Sequence, residues 1–239
     1  MSRTIEQLAH DIVDAYYARA GDGRLLVGIA GPPGCGKSTI ANPLTQHINS
    51  ILQSPHETAQ AERSTSAVCV SLDGWHYTLA ELDAMEDPVY AHRWRGAAFT
   101  FNQSEYQKFL EELKTPSHPD TPATIPFSTF DHAIKNPVLS PTPITSSDRI
   151  ILIEGLYTLL DIPDWKVCSD MMDFKIWVDV DEETARRRLI KRNFEAGITA
   201  DLESCAERVD AVDMKNGDFV RAHTTEPTHV FVSVDGQMY

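Results

Sequence analysis

The sequence predicts an α/β fold in which a three-layer, doubly wound and mostly parallel β-sheet lies between two layers of helices. Five apolar runs are spaced widely along the 239 residues, and stretches with a helical period separate them, which is the pattern of a β-α alternation. Apolar runs of this kind are typical of strands buried on both faces. Ligands bind to such sheets at the carboxyl ends of the strands, so the residues after each strand are the first candidates for a functional site.

Each predicted element has a local signal. Residues 4–19 place Ile5, Leu8, Ile12, Val13 and Tyr16 at helical spacing, which predicts an amphipathic helix that packs on the sheet. Strands are predicted at 25–30, 67–72, 149–153, 174–180 and 229–234, and further helices at 37–49, 104–114, 182–195 and 200–222. A chain of this length can bury one substantial core, so we expect a single domain over residues 1–239.

A glycine-rich motif joins the first predicted strand to the next helix. It reads Gly31, Pro32, Pro33, Gly34, Cys35, Gly36, Lys37, Ser38 and Thr39, which contains the P-loop pattern. In a P-loop, backbone N–H groups and a helix N-terminus bind phosphate, the lysine reaches the β- and γ-phosphates and the Ser hydroxyl ligates Mg²⁺. A turn that only joins a strand to a helix has no use for the Lys37-Ser38 pair. The motif therefore predicts binding of ATP with Mg²⁺ by these nine residues.

Two carboxylates end predicted strands near this loop. Asp73 follows the second strand, where it can orient an alcohol and accept its proton during phosphoryl transfer. The alternative is an Asp that caps the turn beside Gly74. Glu154 ends the third strand and, together with Ser38, is predicted to hold Mg²⁺. Its alternative is a plain turn carboxylate.

A basic cluster interrupts an otherwise acidic chain. Its members are Arg186, Arg187, Arg188, Lys191 and Arg192. Arg188 and Arg192 are spaced i, i+4 and share one face of a helix, so both can reach triphosphate oxygens if residues 182–200 form a lid. Alternatively, Glu182 and Glu183 pair with the cluster on an ordinary solvated helix face.

Two stretches lack periodicity. Residues 50–66 are polar and predict a surface connection. Residues 115–147 contain many prolines, which excludes an ordinary helix or a central strand. Because Phe127, Phe130 and His132 lie in this long segment, a substrate-covering role is favoured over a flexible linker. We expect residues 74–147 to form a substrate-binding insertion within the domain.

Composition limits the classes of partner. The net charge of −14 disfavours nucleic acid, which binds clustered cations. No apolar run is long enough to span a membrane, and the first residues lack the layout of a signal peptide. The four cysteines have no metal-type spacing and are expected to be reduced. These features predict a cytoplasmic protein with a small-molecule substrate, and they leave a homodimer open.

Several motifs together resemble one known family. Residues 31–39, Ser-Leu-Asp-Gly at 71–74, Ile-Glu-Gly-Leu at 153–156 and Val-Asp-Val-Asp at 178–181 before the Arg-rich helix are similar to the uridine kinase, phosphoribulokinase and pantothenate kinase class. Within it, residues 73–76, 82–85, 91–97 and 99–101 are most similar to small-molecule kinases described as fructose-import-associated or uridine-kinase-like. The resemblance spans nearly the whole chain. It implies that Asp73 is the catalytic base, Glu154 the strand-end acid, and Arg188 and Arg192 the lid arginines.

The residues after the base differ from those of uridine kinases. Gly-Trp-His-Tyr at 74–77 stands where uridine kinases carry a Ser-Phe-Tyr-Lys-like sequence, which argues against uridine itself. The candidate substrate-binding residues are His76, Tyr77, Arg93, Arg95 and His132. In an extended segment Arg93 and Arg95 would share a side toward the substrate. Alternatively, both arginines pair with Glu86 or Asp87, and the histidines are structural.

Taken together, the residues predict an ATP- and Mg²⁺-dependent kinase that phosphorylates a hydroxyl of a small metabolite by in-line transfer. The acceptor classes considered are nucleosides, sugars and related polyhydroxy or acidic compounds. One alternative is a nucleotide-dependent switch or regulatory NTPase that acts on a protein partner, which needs no base in an acceptor pocket. Another is a pseudoenzyme that only binds ATP, and the presence of Lys37, Ser38, Asp73 and Glu154 weakens it.

Overall fold

The structure is a computed structural model, and it describes residues 3–21, 23–54, 65–116, 124–199 and 201–235. Its strands are β1 Leu25–Ala30, β2 Ser66–Ser71, β3 Ser128–Asp131, β4 Asn136–Leu139, β5 Asp148–Glu154, β6 Phe174–Asp179 and β7 His229–Val232. Five of them form a sheet in the order β2-β5-β1-β6-β7, in which every adjacent pair is parallel. The other two, β3 and β4, form a separate antiparallel hairpin. The predicted doubly wound α/β fold is confirmed.

The helices cover both faces of the sheet. They are α1 Ile5–Tyr17, α2 Lys37–Leu52, α3 Leu79–Asp83, α4 Pro88–Arg93, α5 Gln103–Lys114, α6 Lys166–Asp170, α7 Glu182–Glu195, α8 Leu202–Arg208 and α9 Met214–Ala222. Sequence chemistry fixes several of their starts: Thr4 and Gln7 form a capping box on α1, and the Asp181 carboxylate accepts from the Thr184 N–H at the start of α7. Among these helices none is long and apolar enough to cross a membrane.

The protein has two hydrophobic cores, one on each face of the sheet, because alternate side chains of each central strand point to opposite faces. In β5, Ile150 and Leu152 pack with α1 and α2, whereas Ile151 and Ile153 pack with α5 and the aromatic residues near it. All four side chains are fully buried. Replacing one of them by Ala would cost about 2–5 kcal/mol. The two-sided burial explains why the strand is a continuous apolar run in the sequence.

Two predictions differ from the structure. The single helix expected at 200–222 is divided into α8, a π-helical turn at Val209–Asp213, and α9. The extended conformation predicted around Arg93 is wrong, because α4 ends at that residue and a 3₁₀ turn follows at Ala98–Thr100. Residues 128–139 form the hairpin, whose strands are neither a helix nor central, as the prolines predicted. Much of the connection expected at 50–66 lies outside the described residues, as do 117–123.

Candidate active site

Three chain segments with polar side chains meet at one edge of the sheet. Glu154, the last residue of β5, is in register with Ser71 of β2 on one side and Ile29 of β1 on the other. The carboxyl ends of these three parallel strands are therefore level. The P-loop leaves β1, Asp73 follows β2, and Glu154 lies between them.

The P-loop has a backbone that only glycine adopts easily. Gly34 and Gly36 have φ of +77° and +88°, in the left-handed region. A Cβ atom on Gly31 would lie 2.3 Å from the Val178 carbonyl oxygen, so the loop also packs closely on β6. The Lys37 Nζ atom donates to the carbonyl oxygens of Gly31 (2.9 Å) and Pro32 (3.2 Å). The Lys37 side chain therefore folds back onto the P-loop, the same loop that would bind phosphate.

Glu154 is the most buried carboxylate of the site. Its residue is 7% exposed, and the Ser38 hydroxyl donates to its Oε1 at 3.2 Å. Burial raises the pKa of Glu154, and the negative charge of Asp73 raises it further, whereas Lys37 acts in the opposite direction. A carboxylate that is buried near a second negative charge is stabilised by a cation. The hydroxyl and carboxylate oxygens of Ser38 and Glu154 are the ligands that Mg²⁺ prefers, so these residues fit the predicted metal.

Asp73 lies in a 3₁₀ turn, Leu72–Trp75, directly after β2. The cap of this turn is Ser71, whose Oγ accepts from the Asp73 N–H at 3.3 Å. The Asp73 carboxylate is therefore not needed as the cap, and its side chain is 43% exposed. A carboxylate in this position can accept a proton from a ligand.

The His76 ring is fixed next to the Asp73 turn by aromatic packing and a hydrogen bond. Its ring lies between Phe101 and Phe130, with ring centroids at 3.9 and 4.9 Å, and its Nδ1 is 2.9 Å from the Asp73 carbonyl oxygen. Since a carbonyl can only accept, Nδ1 carries the hydrogen and Nε2 is left as an acceptor. Burial lowers the pKa of His76. The ring therefore acts as a neutral group that fixes the turn.

The two candidate arginines point in different directions. Arg95 is half-buried, donates from Nη2 to the Tyr77 carbonyl oxygen at 2.9 Å and lies 5.4 Å from the Phe130 ring centroid. Arg93 is exposed at the end of α4. Within the described residues neither arginine pairs with Glu86 or Asp87, so that alternative is wrong. Tyr77 contributes its backbone carbonyl oxygen to this contact.

The hairpin β3–β4 packs against the turn that carries Asp73. A Cβ atom on Gly74 would lie 1.9 Å from the Ser128 carbonyl oxygen, so the two backbones touch. Phe130 of this hairpin stacks near His76, and the exposed His132 lies 5.2 Å from Phe130, centroid to centroid. The charge of His132 acts on His76. The hairpin therefore brings His132 to the rim of the site.

The arginines of the basic helix α7 have different partners. Arg188 Nη1 donates to the carbonyl oxygen of Gly34 (3.3 Å) and to Ser233 Oγ (3.0 Å), and Arg188 Nε donates to Asp235 at 2.8 Å. Arg187 also pairs with Asp235. Among the α7 arginines, Arg188 is the one whose hydrogen bonds within the described residues reach the P-loop.

Arg192 is placed differently. It is exposed, and its charge acts on Asp213, the last residue of the π-helical turn. Arg186 pairs with Asp210 in a bidentate contact of 2.6 and 2.8 Å. The structure thus brings Arg188, but not Arg192, to the phosphate loop.

Sequence reasoning missed the contacts that several residues make in this region. Ser233 and Asp235 contact Arg188 although they are far from it in sequence, and no motif marks them. Phe101 and Phe130 enclose His76, and Tyr157 donates from its hydroxyl to the Gly96 carbonyl oxygen at 2.8 Å. The aromatic character of these residues was visible, but their convergence depends on contacts between distant segments.

Comparison with known proteins agrees with this geometry. The model of the phosphoribulokinase/uridine kinase family matches residues 26–237. A candidate uridine kinase of Schizosaccharomyces pombe, C227.14, is 33% identical over 206 residues, which cover 85% of this chain and 81% of the relative. The ATP-dependent kinase-like protein notR' of Aspergillus versicolor is 37% identical over 147 residues, 62% of this chain and 85% of the relative.

Solved structures share the fold. YFH7 from Saccharomyces cerevisiae superposes with a TM-score of 0.81 at 22% identity, covering 96% of this chain and 98% of that one. A candidate fructose transport system kinase from Silicibacter sp. TM1040 gives 0.79 at 24% identity, covering 96% and 99%. The predicted family resemblance is confirmed, and it supports a kinase over a nucleotide-dependent switch. The chain belongs to the phosphoribulokinase/uridine kinase family and is an ATP-dependent kinase that phosphorylates a small molecule.

Proposed function

We propose that the protein transfers the γ-phosphate of ATP to a hydroxyl of a small metabolite, with Asp73 as the base. The observation that carries this proposal is the convergence of Asp73, Glu154 and the P-loop at three level strand ends. Asp73 is the only one of the two carboxylates that is well exposed. The acceptor hydroxyl would give its proton to Asp73 while its oxygen attacks the γ-phosphorus and the bond to ADP breaks.

Ser38 and Glu154 are the residues that would hold Mg²⁺. Their hydrogen bond of 3.2 Å brings two oxygen ligands together next to Lys37. Mg²⁺, when bound with ATP, supplies charge neutralisation on the phosphate oxygens. Lys37 would leave its loop carbonyls and donate to the transferring phosphate.

Arg188 and Arg192 are proposed to act from a lid over residues 182–200. Arg188 already contacts the Gly34 carbonyl oxygen, so a small change of its side chain would bring its guanidinium to phosphate oxygens. Arg192 lies one helical turn further and would have to approach as α7 closes. Residues 74–147 are proposed to cover the acceptor, because the hairpin packs directly on the Asp73 turn and carries His132. Arg95, which is half-buried, would bind the acceptor from the protein interior, and Arg93, which is exposed, would bind it from the solvent side.

The test is Asp73→Asn, which keeps size and hydrogen-bonding reach but cannot take a proton. We expect the variant to bind MgATP normally and to lose acceptor phosphorylation by a factor on the order of 10² to 10⁴. Nucleotide affinity is measured by calorimetry, and product formation with the compound that most stimulates ATP use. Asp14→Asn, an exposed carboxylate on α1, is the matched control and should keep the parent rate. If Asp73→Asn phosphorylates at the parent rate, the assignment of the base is wrong.

A further inference from the structure

Tyr157 is a fully buried side chain whose hydroxyl contacts a distant part of the chain. It lies three residues after Glu154, the last residue of β5, and its hydroxyl donates to the Gly96 carbonyl oxygen at 2.8 Å. Burial raises the pKa of Tyr157, and the charges of Asp213 and Asp73 raise it further. The hydroxyl therefore keeps its proton and remains a hydrogen-bond donor.

Two aromatic neighbours fix the Tyr157 ring. Phe101 meets it edge-on, with ring centroids 5.3 Å apart and an angle of 83° between the planes, and the Trp165 ring lies 5.4 Å away. All three side chains belong to the core. Because cores are close-packed, the ring has little room to move, and its hydroxyl is presented at a fixed point.

The hydrogen bond from Tyr157 holds the turn that carries Arg95. This Arg95 turn, residues 94–97, lies between α4 and the 3₁₀ turn at Ala98–Thr100. The Gly96 N–H donates to Thr100 Oγ1 at 2.9 Å, which closes the turn on itself. The bond from Tyr157 to Gly96 instead ties the turn to the segment after β5.

The Arg95 side chain lies against the Asp73 turn. Its Nη2 donates to the Tyr77 carbonyl oxygen at 2.9 Å. Phe130 lies beside both Arg95 and His76, at 5.4 and 4.9 Å, and the charge of Arg95 acts on His76. The Nε atom of Arg95 is buried and has no hydrogen-bond partner among the described residues. The guanidinium therefore has a donor next to the Asp73 turn that no described residue uses.

We propose that Tyr157 is a positioning residue for the acceptor, whose hydroxyl fixes the Arg95 turn and thereby holds the Arg95 guanidinium next to the Asp73 turn. A long side chain binds more tightly when its backbone is fixed before the ligand arrives, because less freedom is lost on binding. Since Tyr157 follows Glu154 by three residues, one short segment would place both the metal ligand and the cation that binds the acceptor. The inference rests on the proposed function, in which Arg95 binds the acceptor.

The first test is Tyr157→Phe, which removes the hydroxyl and keeps the ring. Kinetics are measured with whichever of uridine, fructose, glycerate and pantothenate most stimulates ADP formation. We expect the acceptor KM to rise about three- to tenfold, as the loss of one hydrogen bond predicts. The variant should keep kcat within about twofold of the parent and an unchanged Kd for MgATP.

Tyr106→Phe is the matched control for this change. Tyr106 is as buried as Tyr157 and lies on α5, and no described hydrogen bond joins its hydroxyl to the Arg95 turn. This variant should keep the parent KM. Thermal melting verifies that both variants fold. An unchanged KM in Tyr157→Phe, or the same rise in both variants, would overturn the inference and leave Asp73 as the proposed base.

The second test asks whether Tyr157 acts through Arg95. Arg95→Gln alone should raise the acceptor KM, and adding Tyr157→Phe should then raise it less than about twofold further, because residues that act through one another are not additive. Two effects that multiply would show that Tyr157 acts independently of Arg95. An unchanged KM in Arg95→Gln would show that the turn does not serve the acceptor. Either result contradicts the inference.

Hydrogen exchange on the free protein needs no acceptor. Amides within residues 95–101 should exchange severalfold faster in Tyr157→Phe than in the parent and in Tyr106→Phe, whereas amides of α1 should be unchanged. Equal exchange in the three proteins would overturn the inference, because the turn would then hold without Tyr157. Faster exchange in Tyr157→Phe together with no phosphorylation of any of the four compounds would support the anchoring of the turn and count against the proposed function alone.

Discussion

The Arg188 guanidinium donates hydrogen bonds to oxygen atoms of three residues, and one of these oxygens belongs to a charged carboxylate. The Gly34 carbonyl, the Ser233 hydroxyl and the Asp235 carboxylate all accept from its guanidinium. Asp235 pairs with Arg187 as well, and these two arginines lower the pKa of the Asp235 carboxyl. A carboxylate here competes with the anion that Arg188 would bind during the reaction.

Asp235→Asn should therefore strengthen MgATP binding. The change removes the competing charge, and because the Asp235 carboxylate is exposed to solvent we expect only about a two- to fivefold lower Kd, measured by calorimetry at low salt. Asp210→Asn is the matched control, since Asp210 pairs with Arg186 on the same helix but has no contact with Arg188. Weaker MgATP binding by Asp235→Asn would mean that Asp235 orients Arg188 instead of restraining it.

His76 gives the site a pH dependence of stability. Burial lowers its pKa below the ordinary value of 6.5. Between that lowered pKa and pH 6.5 the unfolded chain binds a proton that the folded chain does not, so stability falls as the pH drops through this window and is fully present above it. His76→Asn, whose amide can still donate to the Asp73 carbonyl oxygen, should lose less unfolding free energy than the parent between pH 7.5 and 5.5. Urea unfolding at both pH values measures it, and parallel profiles would contradict the prediction.

At the scale of elements, the hairpin and the turn after β2 behave as one unit. Gly74 permits the Ser128 carbonyl oxygen to lie where a Cβ atom would stand, and Asn136 of β4 accepts from the Leu79 N–H at 2.9 Å. The hairpin is thereby fixed to the start of α3 as well as to the Asp73 turn. Its position depends on backbone contact rather than on a large apolar face.

Gly74→Ala should separate these two elements. The added methyl group must displace the Ser128 backbone, and overpacking of this kind costs about 1–3 kcal/mol. We expect a lower urea midpoint together with a higher acceptor KM, because the hairpin would no longer sit over Asp73. Gly23→Ala meets only one atom, at 3.4 Å, and should change stability by less than about 0.5 kcal/mol. An unchanged acceptor KM in a destabilised Gly74→Ala would remove the hairpin from acceptor binding.

Elements could be predicted from the sequence where all of their residues are buried or where a motif requires particular residues. The strand at 25–30 was predicted without error because all of its residues are buried, and the P-loop because its geometry demands particular residues. The hairpin was not predictable, since Pro137 lies in β4 and its residues are only half-buried. The π-helical turn before α9 ends at Asp213, which accepts a hydrogen bond from Asn193 of α7 at 3.4 Å, a contact between helices that no local pattern encodes. The sequence identified Arg95 as a candidate. Its orientation toward Phe130 could not be predicted, because it depends on where the short helix α4 ends.

The whole molecule responds to a ligand through linkage. A ligand that binds only the folded state at a hundred times its Kd stabilises that state by about 2.7 kcal/mol. Lys37 donates only to two loop carbonyls among the described residues, apart from a 3.8 Å approach to Cys35 Sγ. We therefore expect Lys37 to contribute more to the stability of the protein with bound nucleotide than to the stability of the free protein.

Lys37→Ala should melt near the parent temperature without ligand but lose most of the stabilisation by MgATP, and its turnover should fall by several orders of magnitude. Differential scanning calorimetry with and without MgATP measures the first part. Lys108→Ala, an exposed lysine on α5, should keep the full shift. A Lys37→Ala protein that MgATP stabilises as much as the parent would exclude this lysine from nucleotide binding.

The first strand within the described residues, β1, occupies the centre of the sheet. Leu26 is in register with Ile151 and Val27 with Phe174, pairs that are on the order of 120–150 residues apart, and contacts so distant in sequence form slowly. During synthesis β1 and the P-loop are made before β5 and β6, so neither neighbour of β1 exists until those two strands have been made. Until then the apolar run Leu25–Ala30 has no partner strand and is open to aggregation or to a chaperone. The P-loop is therefore made well before the strands on either side of β1, and it can take its final position only after them.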